Sequence, residues 1–214
     1  MRNEISSRAR ITYAATIIPV VVILDQLTKW AVLNEAQFNA IGCLDRTQRC
    51  GQIPDALPFM DLSMVWNRGM SFGFLQSEGV MRWILFAVTL AIAGAFLVWL
   101  LRAERRLTAI SLAVVVAGAI GNMIDRARFG AVVDFLDFSG PWFGWTLKAQ
   151  SGLFAWIDRF HTPDGVLGVG FPYVFNIADA AITLGAIALF FDQFFMSKAP
   201  KPSGGAFSAG VDNG

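Results

Sequence analysis

Two aspartates stand where an ionised carboxylate is out of keeping with its neighbours. Asp179 lies in Phe175-Asn-Ile-Ala-Asp-Ala-Ala-Ile-Thr-Leu-Gly185, inside the start of an apolar run. A lone carboxylate there must take up a proton or find a partner. Asp134 lies in Gly130-Ala-Val-Val-Asp-Phe-Leu-Asp-Phe138, which alternates as a strand does. Val133, Phe135 and Asp137 share one side, while Asp134, Leu136 and Phe138 share the other. Apolar surroundings raise a carboxyl pKa, and two carboxyls held close resist joint ionisation and share one proton. One can then take a proton from an attacking water while the other delivers one to a departing amine. Taken alone, Asp134 reads equally well as a capping or turn aspartate.

Other polar groups collect near the same apolar runs: Asp25 and Lys29, then Asn122, Asp125 and Arg126, then Asn176. A charge at the centre of a membrane helix costs roughly 2.5 to 3.5 kcal/mol on insertion scales, so such residues need a reason. Asp25 and Lys29 are four apart and share a helix face, where the plain reading is an ion pair with the lysine reaching to the headgroups. Asp125 and Arg126 read plainly as a helix end meeting water.

The elements that must position these groups are membrane spans. Of 214 residues 55% are hydrophobic and 15% charged, against about a quarter charged in ordinary soluble domains. Four stretches have the roughly 20 apolar residues that a helix needs to cross a bilayer. They run from about Ile11 to Leu33, Met81 to Leu101, Leu107 to Ile124 and Pro172 to Phe195. The expected fold is all-α and integral to the membrane: four transmembrane helices with a small outer-side β or amphipathic element. The first stretch follows a basic N-terminus, as a cleavable signal peptide would. It passes into Asp25-Gln-Leu-Thr-Lys29-Trp30 without an A-x-A site, so it is expected to be retained.

Short basic segments set the orientation: the N-terminus, the Arg102–Arg106 turn and the Lys198/Lys201 tail are expected in the cytoplasm, with both termini. Residues 34–80 and 125–171 then form long outer connections, and every polar group above maps to that side. One membrane domain is expected over 1–197, with 198–214 a flexible tail of Gly, Ser, Ala and Pro. Net charge is +1 and no basic run is interleaved with aromatics, which argues against a nucleic-acid partner.

Competing chemistries have weaker support. Gly69-Met-Ser-Phe-Gly73 fits G-x-S-x-G, but that motif needs a strand-to-helix elbow and a histidine, and His161 is the chain's single histidine, beside Thr162-Pro163. One histidine cannot make H-E-x-x-H, so no metal and no cofactor are expected. Cys43 and Cys50 lie in one outer connection and read as a disulfide or as free thiols. A small carrier or channel-like protein, using intramembrane carboxylates as a proton or cation path, is the alternative from another class. A membrane scaffold leaves the clustering of Asp and Asn unexplained.

Five strings, in order, resemble lipoprotein signal peptidase: Asp25-Gln-Leu-Thr-Lys29, Asn67-Arg-Gly-Met-Ser-Phe-Gly73, Gly118-Ala-Ile-Gly-Asn-Met-Ile-Asp-Arg126, Val132-Val-Asp-Phe-Leu-Asp137 and Phe175-Asn-Ile-Ala-Asp179. They reach from the first span to the fourth. The resemblance implies an aspartic endopeptidase of the bacterial inner membrane with catalytic aspartates at Asp134 and Asp179. It implies supporting positions at Asp25, Lys29, Asn67, Gly69, Asn122, Arg126 and Asn176. The implied substrate is a diacylglyceryl-modified prolipoprotein, cut before the lipidated cysteine, with membrane lipid as the other partner. The stretch 139–173, with Trp142, Trp145 and Trp156, is longer than the family leads one to expect, as is 35–58. The first reads as a decoration or as an amphipathic cover lying on the headgroups.

Overall fold

The computed structural model describes residues 5–40, 49–57, 60–68, 80–138, 146–147, 167–168 and 173–196. The helices are α1 (Ser7–Leu33), the short α2 (Ala36–Ala40), α3 (Val80–Arg102), α4 (Arg106–Phe129) and α5 (Ile177–Phe191), which continues as a π-helical turn over Asp192–Met196. Among the described residues four helices are long and apolar enough to cross a membrane: α1, α3, α4 and α5 with its extension. The four-span helical expectation therefore holds.

The boundaries differ from the sequence reading in two places that matter. Helix α4 runs on past Ile124 through Asp125 and Arg126 to a stop at Gly130, whose φ of 76° suits glycine, and whose N–H bonds the Arg126 carbonyl at 3.0 Å. The fourth span begins at Ile177 rather than near Pro172, because Val174–Phe175 is extended and Asn176 caps the helix.

Helix α4 is the axis of the bundle. It carries Ala109, Ala113, Ala117, Gly118, Ala119 and Gly121 and is buried over most of its length, while α1, α3 and α5 pack around it and expose large apolar side chains outward. Water supplies no drive for helix association in lipid, so close approach of small residues takes over. A Cβ on Gly118 would run into the Ala178 carbonyl oxygen and stand 2.8 Å from Ile182 Cγ1. One on Gly121 would stand 2.6 Å from Asp25 Oδ2, and one on Gly185 2.7 Å from Val115 Cγ2.

One end of the bundle carries a four-stranded antiparallel sheet in the order β1 (Arg49–Leu57), β2 (Met60–Asn67), β3 (Val132–Asp137) and β6 (Val174–Phe175). A separate pair, β4 (Thr146–Leu147) with β5 (Leu167–Gly168), follows the same antiparallel rule. The β element is thus larger than the sequence reading foresaw, since it recruits two strands from the first long connection. A core of Val32, Phe38, Met64, Trp66, Val133 and Phe135 seats the sheet on the helix ends. Trp66 packs edge-on against Phe129, ring centroids 5.6 Å apart.

Candidate active site

Three chain features deliver the polar groups to one place, at the sheet end of the bundle. The Gly130 stop turns the chain from α4 directly into β3, so Asp125 Oδ2 accepts the Val133 N–H at 3.1 Å and Asp134 follows one residue on. The strand pairing sets Val65 opposite Asp134 and Asn67 opposite Val132, with an irregularity between Leu62 and Val65. That register brings Asn67 Nδ2 to Asp134 Oδ2 at 3.1 Å. Asn176 caps α5, its Oδ1 accepting the Asp179 N–H at 2.8 Å, and its Nδ2 reaches Asp134 Oδ1 at 2.6 Å. An asparagine suits this position because one end of the amide satisfies the helix terminus and the other donates to a carboxylate.

Asp179, in the first turn of α5, accepts from Asn122 Nδ2 at 2.7 Å. Asn122 Oδ1 accepts in turn from Asn176 Nδ2 at 3.3 Å. Asp134 and Asp179 are thereby joined through two amides, from α4 and from the cap of α5. Asp134 is 2% exposed, which is costly for an anion that among the described residues receives only neutral hydrogen bonds. Burial pushes its carboxyl up to about 7 and the Asp179 charge adds to the rise, against the Asn67 and Asn176 hydrogen bonds and the Lys29 charge. Arg126 lies within electrostatic reach of Asp134, Asp179 and Asp125. Its Nε is buried and makes no hydrogen bond among the described residues.

Beneath the pair lies a buried charge cluster. Lys29 Nζ meets Asp25 Oδ2 at 2.8 Å and Asp125 Oδ2 at 2.7 Å, and all three side chains are shielded from solvent. The Asp25–Lys29 pair was expected, but its lysine turns inward to α4 instead of reaching for headgroups. Asp125, read as a residue at a wetted helix end, is fully buried as Lys29's second partner because α4 carries it on past the apolar stretch. Gln26 closes the cluster, donating to Asp125 Oδ1 at 3.0 Å and Asp25 Oδ2 at 3.1 Å.

Of the residues singled out from sequence, Asp25, Lys29, Asn67, Asn122, Arg126, Asp134, Asn176 and Asp179 are brought together. Gly69, Ser71, Cys43 and His161 lie outside the described residues, as do Trp142, Trp145 and Trp156; Cys50 is described in its backbone alone. Sequence reasoning missed Gln26 and gave Asp125 no part. The available signal was spacing, since Asn122 and Asp125 are three apart and share a helix face once the helix is allowed to continue.

The family model described as signal peptidase (SPase) II matches residues 17–195. The lipoprotein signal peptidase of Methylorubrum extorquens (strain PA1) is 42% identical over 146 residues, 67% of this chain and 68% of that protein. That of Burkholderia mallei (strain SAVP1) is 36% identical over 178 residues, 81% of this chain and 82% of its own. A bacterial membrane enzyme solved by the in meso method at 2.3 Å resolution has a similar fold, with a TM-score of 0.57 at 23% identity over 94% of this chain and 98% of that one.

Proposed function

This chain belongs to the signal peptidase II family, and from that premise we propose that it removes signal peptides from diacylglyceryl-modified prolipoproteins, cutting before the lipidated cysteine with a water activated between Asp134 and Asp179. Membership makes it a multi-pass bacterial membrane peptidase, so the carrier alternative is set aside. The aspartic mechanism rests on one observation. Two carboxylates from separate elements are tied through Asn176 and Asn122, and one of them, buried on β3, is poised near neutrality.

Such a pair holds one proton up to about pH 7. Its ionised member takes a proton from water as the oxygen attacks the scissile carbonyl, and its protonated member delivers one to the departing cysteine nitrogen. Each transfer contributes about 10² to 10⁴-fold. Asp179 Oδ2 accepts no hydrogen bond among the described residues, leaving an oxygen free to face water or substrate. The buried Arg126 Nε–H, unpaired among the described residues and within electrostatic reach of both aspartates, suits a substrate carbonyl or the developing oxyanion. The diacylglyceryl group anchors the substrate at about 0.8 kcal/mol per buried methylene, which favours a cut at the membrane surface. In this reading the sheet end faces outward and both termini face the cytoplasm, as the short basic segments favour. Residues 1–197 act as one membrane domain.

The test is cleavage of a diacylglyceryl-modified prolipoprotein by purified protein, with chelator present, comparing wild type with Asp134→Asn and Asp179→Asn. Cleavage by wild type alone supports the aspartic pair. Equal cleavage by folded variants refutes it and returns attention to Ser71 and His161.

A further inference from the structure

Lys29 has spent every donor it owns. Besides Asp25 and Asp125, its ammonium reaches Asn122 Oδ1 at 3.3 Å. An ammonium only donates, so Asn122 must turn its carbonyl oxygen toward Lys29, and that leaves its NH₂ for Asp179 Oδ1 at 2.7 Å. Asn176 is fixed in the same sense by the backbone. The Asp179 N–H likewise only donates, so it claims Asn176 Oδ1 and sends Nδ2 to Asp134. The two amides agree with each other, since Asn122 Oδ1 also accepts from Asn176.

The carboxylates that hold Lys29 are themselves tied to the site. Asp25 Oδ1 accepts the Ala178 N–H at 2.9 Å, and Asp125 Oδ2 accepts the Val133 N–H at 3.1 Å. Ala178 precedes Asp179 and Val133 precedes Asp134, so each partner of the ammonium grips the residue before one member of the pair.

We infer that Lys29 is a positioning residue for the Asp134/Asp179 pair, fixing the polarity of Asn122 so that Asp179 is always met by a hydrogen-bond donor. Without Lys29 the amide loses the charged one of its two orienting donors and keeps only the 3.3 Å contact from Asn176, so it turns over more readily and presents its oxygen to Asp179 for part of the time. Asp179 then makes that contact only by keeping its proton, and the pair loses the ionised member it needs to activate water. The inference rests on the proposed aspartic mechanism.

The test compares wild type with Lys29→Met/Asp125→Asn and with Asn122→Asp, using a diacylglyceryl-modified prolipopeptide as substrate. The first variant removes the donor while leaving the cluster's net charge at one negative, since two carboxylates and one ammonium become one carboxylate. The second keeps an acceptor for Lys29 but replaces the donor to Asp179 with oxygen. Sites are counted by the stoichiometry of an uncleavable lipopeptide, so kcat is expressed per binding-competent molecule. In both variants kcat is expected to fall by about 10 to 100-fold, the usual cost of losing an orienting partner, with KM within about threefold. A buttress that merely holds the helices together would reduce the number of sites and leave kcat per site unchanged; that result overturns the inference. Lys29→Met alone decides it if the double variant fails to accumulate, and Asn122→Asp calibrates what loss of the donor to Asp179 costs. Asp134→Asn and Asp179→Asn run alongside: if these still cleave, the aspartic reading fails, whereas their inactivity beside fully active Lys29 and Asn122 variants sinks only the role of Lys29.

Discussion

Buried aspartates occur at both ends of the α4–α5 pair, and their partners differ in kind. At the end remote from the sheet, Asp192 is 1% exposed and accepts a hydrogen bond from the Thr108 hydroxyl. The Arg105 guanidinium donates to its Oδ1 at 3.1 Å and to its backbone carbonyl at 2.8 Å. At the sheet end, Asp134 receives two neutral amides and faces a second carboxylate. A direct cation compensates Asp192; Asp134 has none within hydrogen-bonding distance among the contacts above. Burial of a carboxylate therefore says little by itself. A carboxylate matched by a cation and a hydroxyl locks two helix ends together, and one left to neutral donors near another acid keeps a labile proton.

The sharpest way to break this contrast is to neutralise each carboxylate in turn. Asp134→Asn and Asp179→Asn are expected to lower cleavage by about 10³-fold or more, in line with the loss of a general acid or base. Asp192→Asn is expected to keep wild-type kcat per folded molecule and to lose about 1 to 2 kcal/mol of stability in detergent, because its ion pair is half exposed on the arginine side. A large fall in kcat for folded Asp192→Asn would show that the two ends are coupled, and the contrast would fail.

Next in size is the helix contact that spans the two ends. Gly118→Val must push α5 away, since the neighbour in its path is the Ala178 backbone, and overpacking of that sort costs about 1 to 3 kcal/mol. Ala178 adjoins Asp179, so kcat should fall with stability. Gly94→Ala on α3, where nothing lies within 4 Å of the added carbon, should leave both within error. Thermal unfolding in detergent, paired with the cleavage assay, separates the two.

How much of this was legible before the fold depends on whether the signal was local. Asp179 stood out because a carboxylate inside an apolar run is anomalous on sequence alone, and Asp134 because strand alternation set it among apolar side chains. The inward turn of Lys29 was not legible. An i,i+4 pair at a helix end looks the same facing lipid or α4, and the choice is made by Asn122 and Asp125, about a hundred residues away. Asp125 was misjudged because Asp-Arg-Ala-Arg after Ile124 reads as a polar exit, while the helix persists to its glycine stop. The β1–β2 hairpin went unforeseen because its strands borrow their apolar partners from β3 and the ends of α1 and α4, which no short window of sequence contains.

The raised Asp134 pKa carries a stability consequence with a definite sign. Folded Asp134 keeps its proton to about 7, whereas an unfolded carboxyl releases it near 3.8. Between those values the folded state binds more protons, so the contribution of Asp134 to stability falls as pH rises from about 4 to 7 and is flat beyond. Asp179, Lys29, Arg126, Asn67 and Asn176 all act on the group, from α5, α1, α4, β2 and the α5 cap. At pH 8 Asp134→Asn is expected to be more stable than wild type by about 1 to 3 kcal/mol, less than the full linkage because the new amide loses one acceptor. Near pH 4 the gain should vanish. Denaturation midpoints at the two pH values check this, and a gain that is equal at both would remove the proton from the explanation.

The smallest effect is expected where compensation is most complete. Thr108→Val takes one donor from Asp192 and leaves Arg105 in place, so the carboxylate keeps its cation and the loss should be about 1 kcal/mol. Cleavage per folded molecule should be unchanged, as should its pH dependence, because Thr108 makes no contact with the Asp134 cluster and lies near the opposite end of α4 from Asn122. The pH profile is the more telling readout. Were it to move, charge at the Asp192 end would be felt at the sheet end along the length of α4, and the division between a compensated latch and a labile pair would have to be redrawn as one electrostatic system.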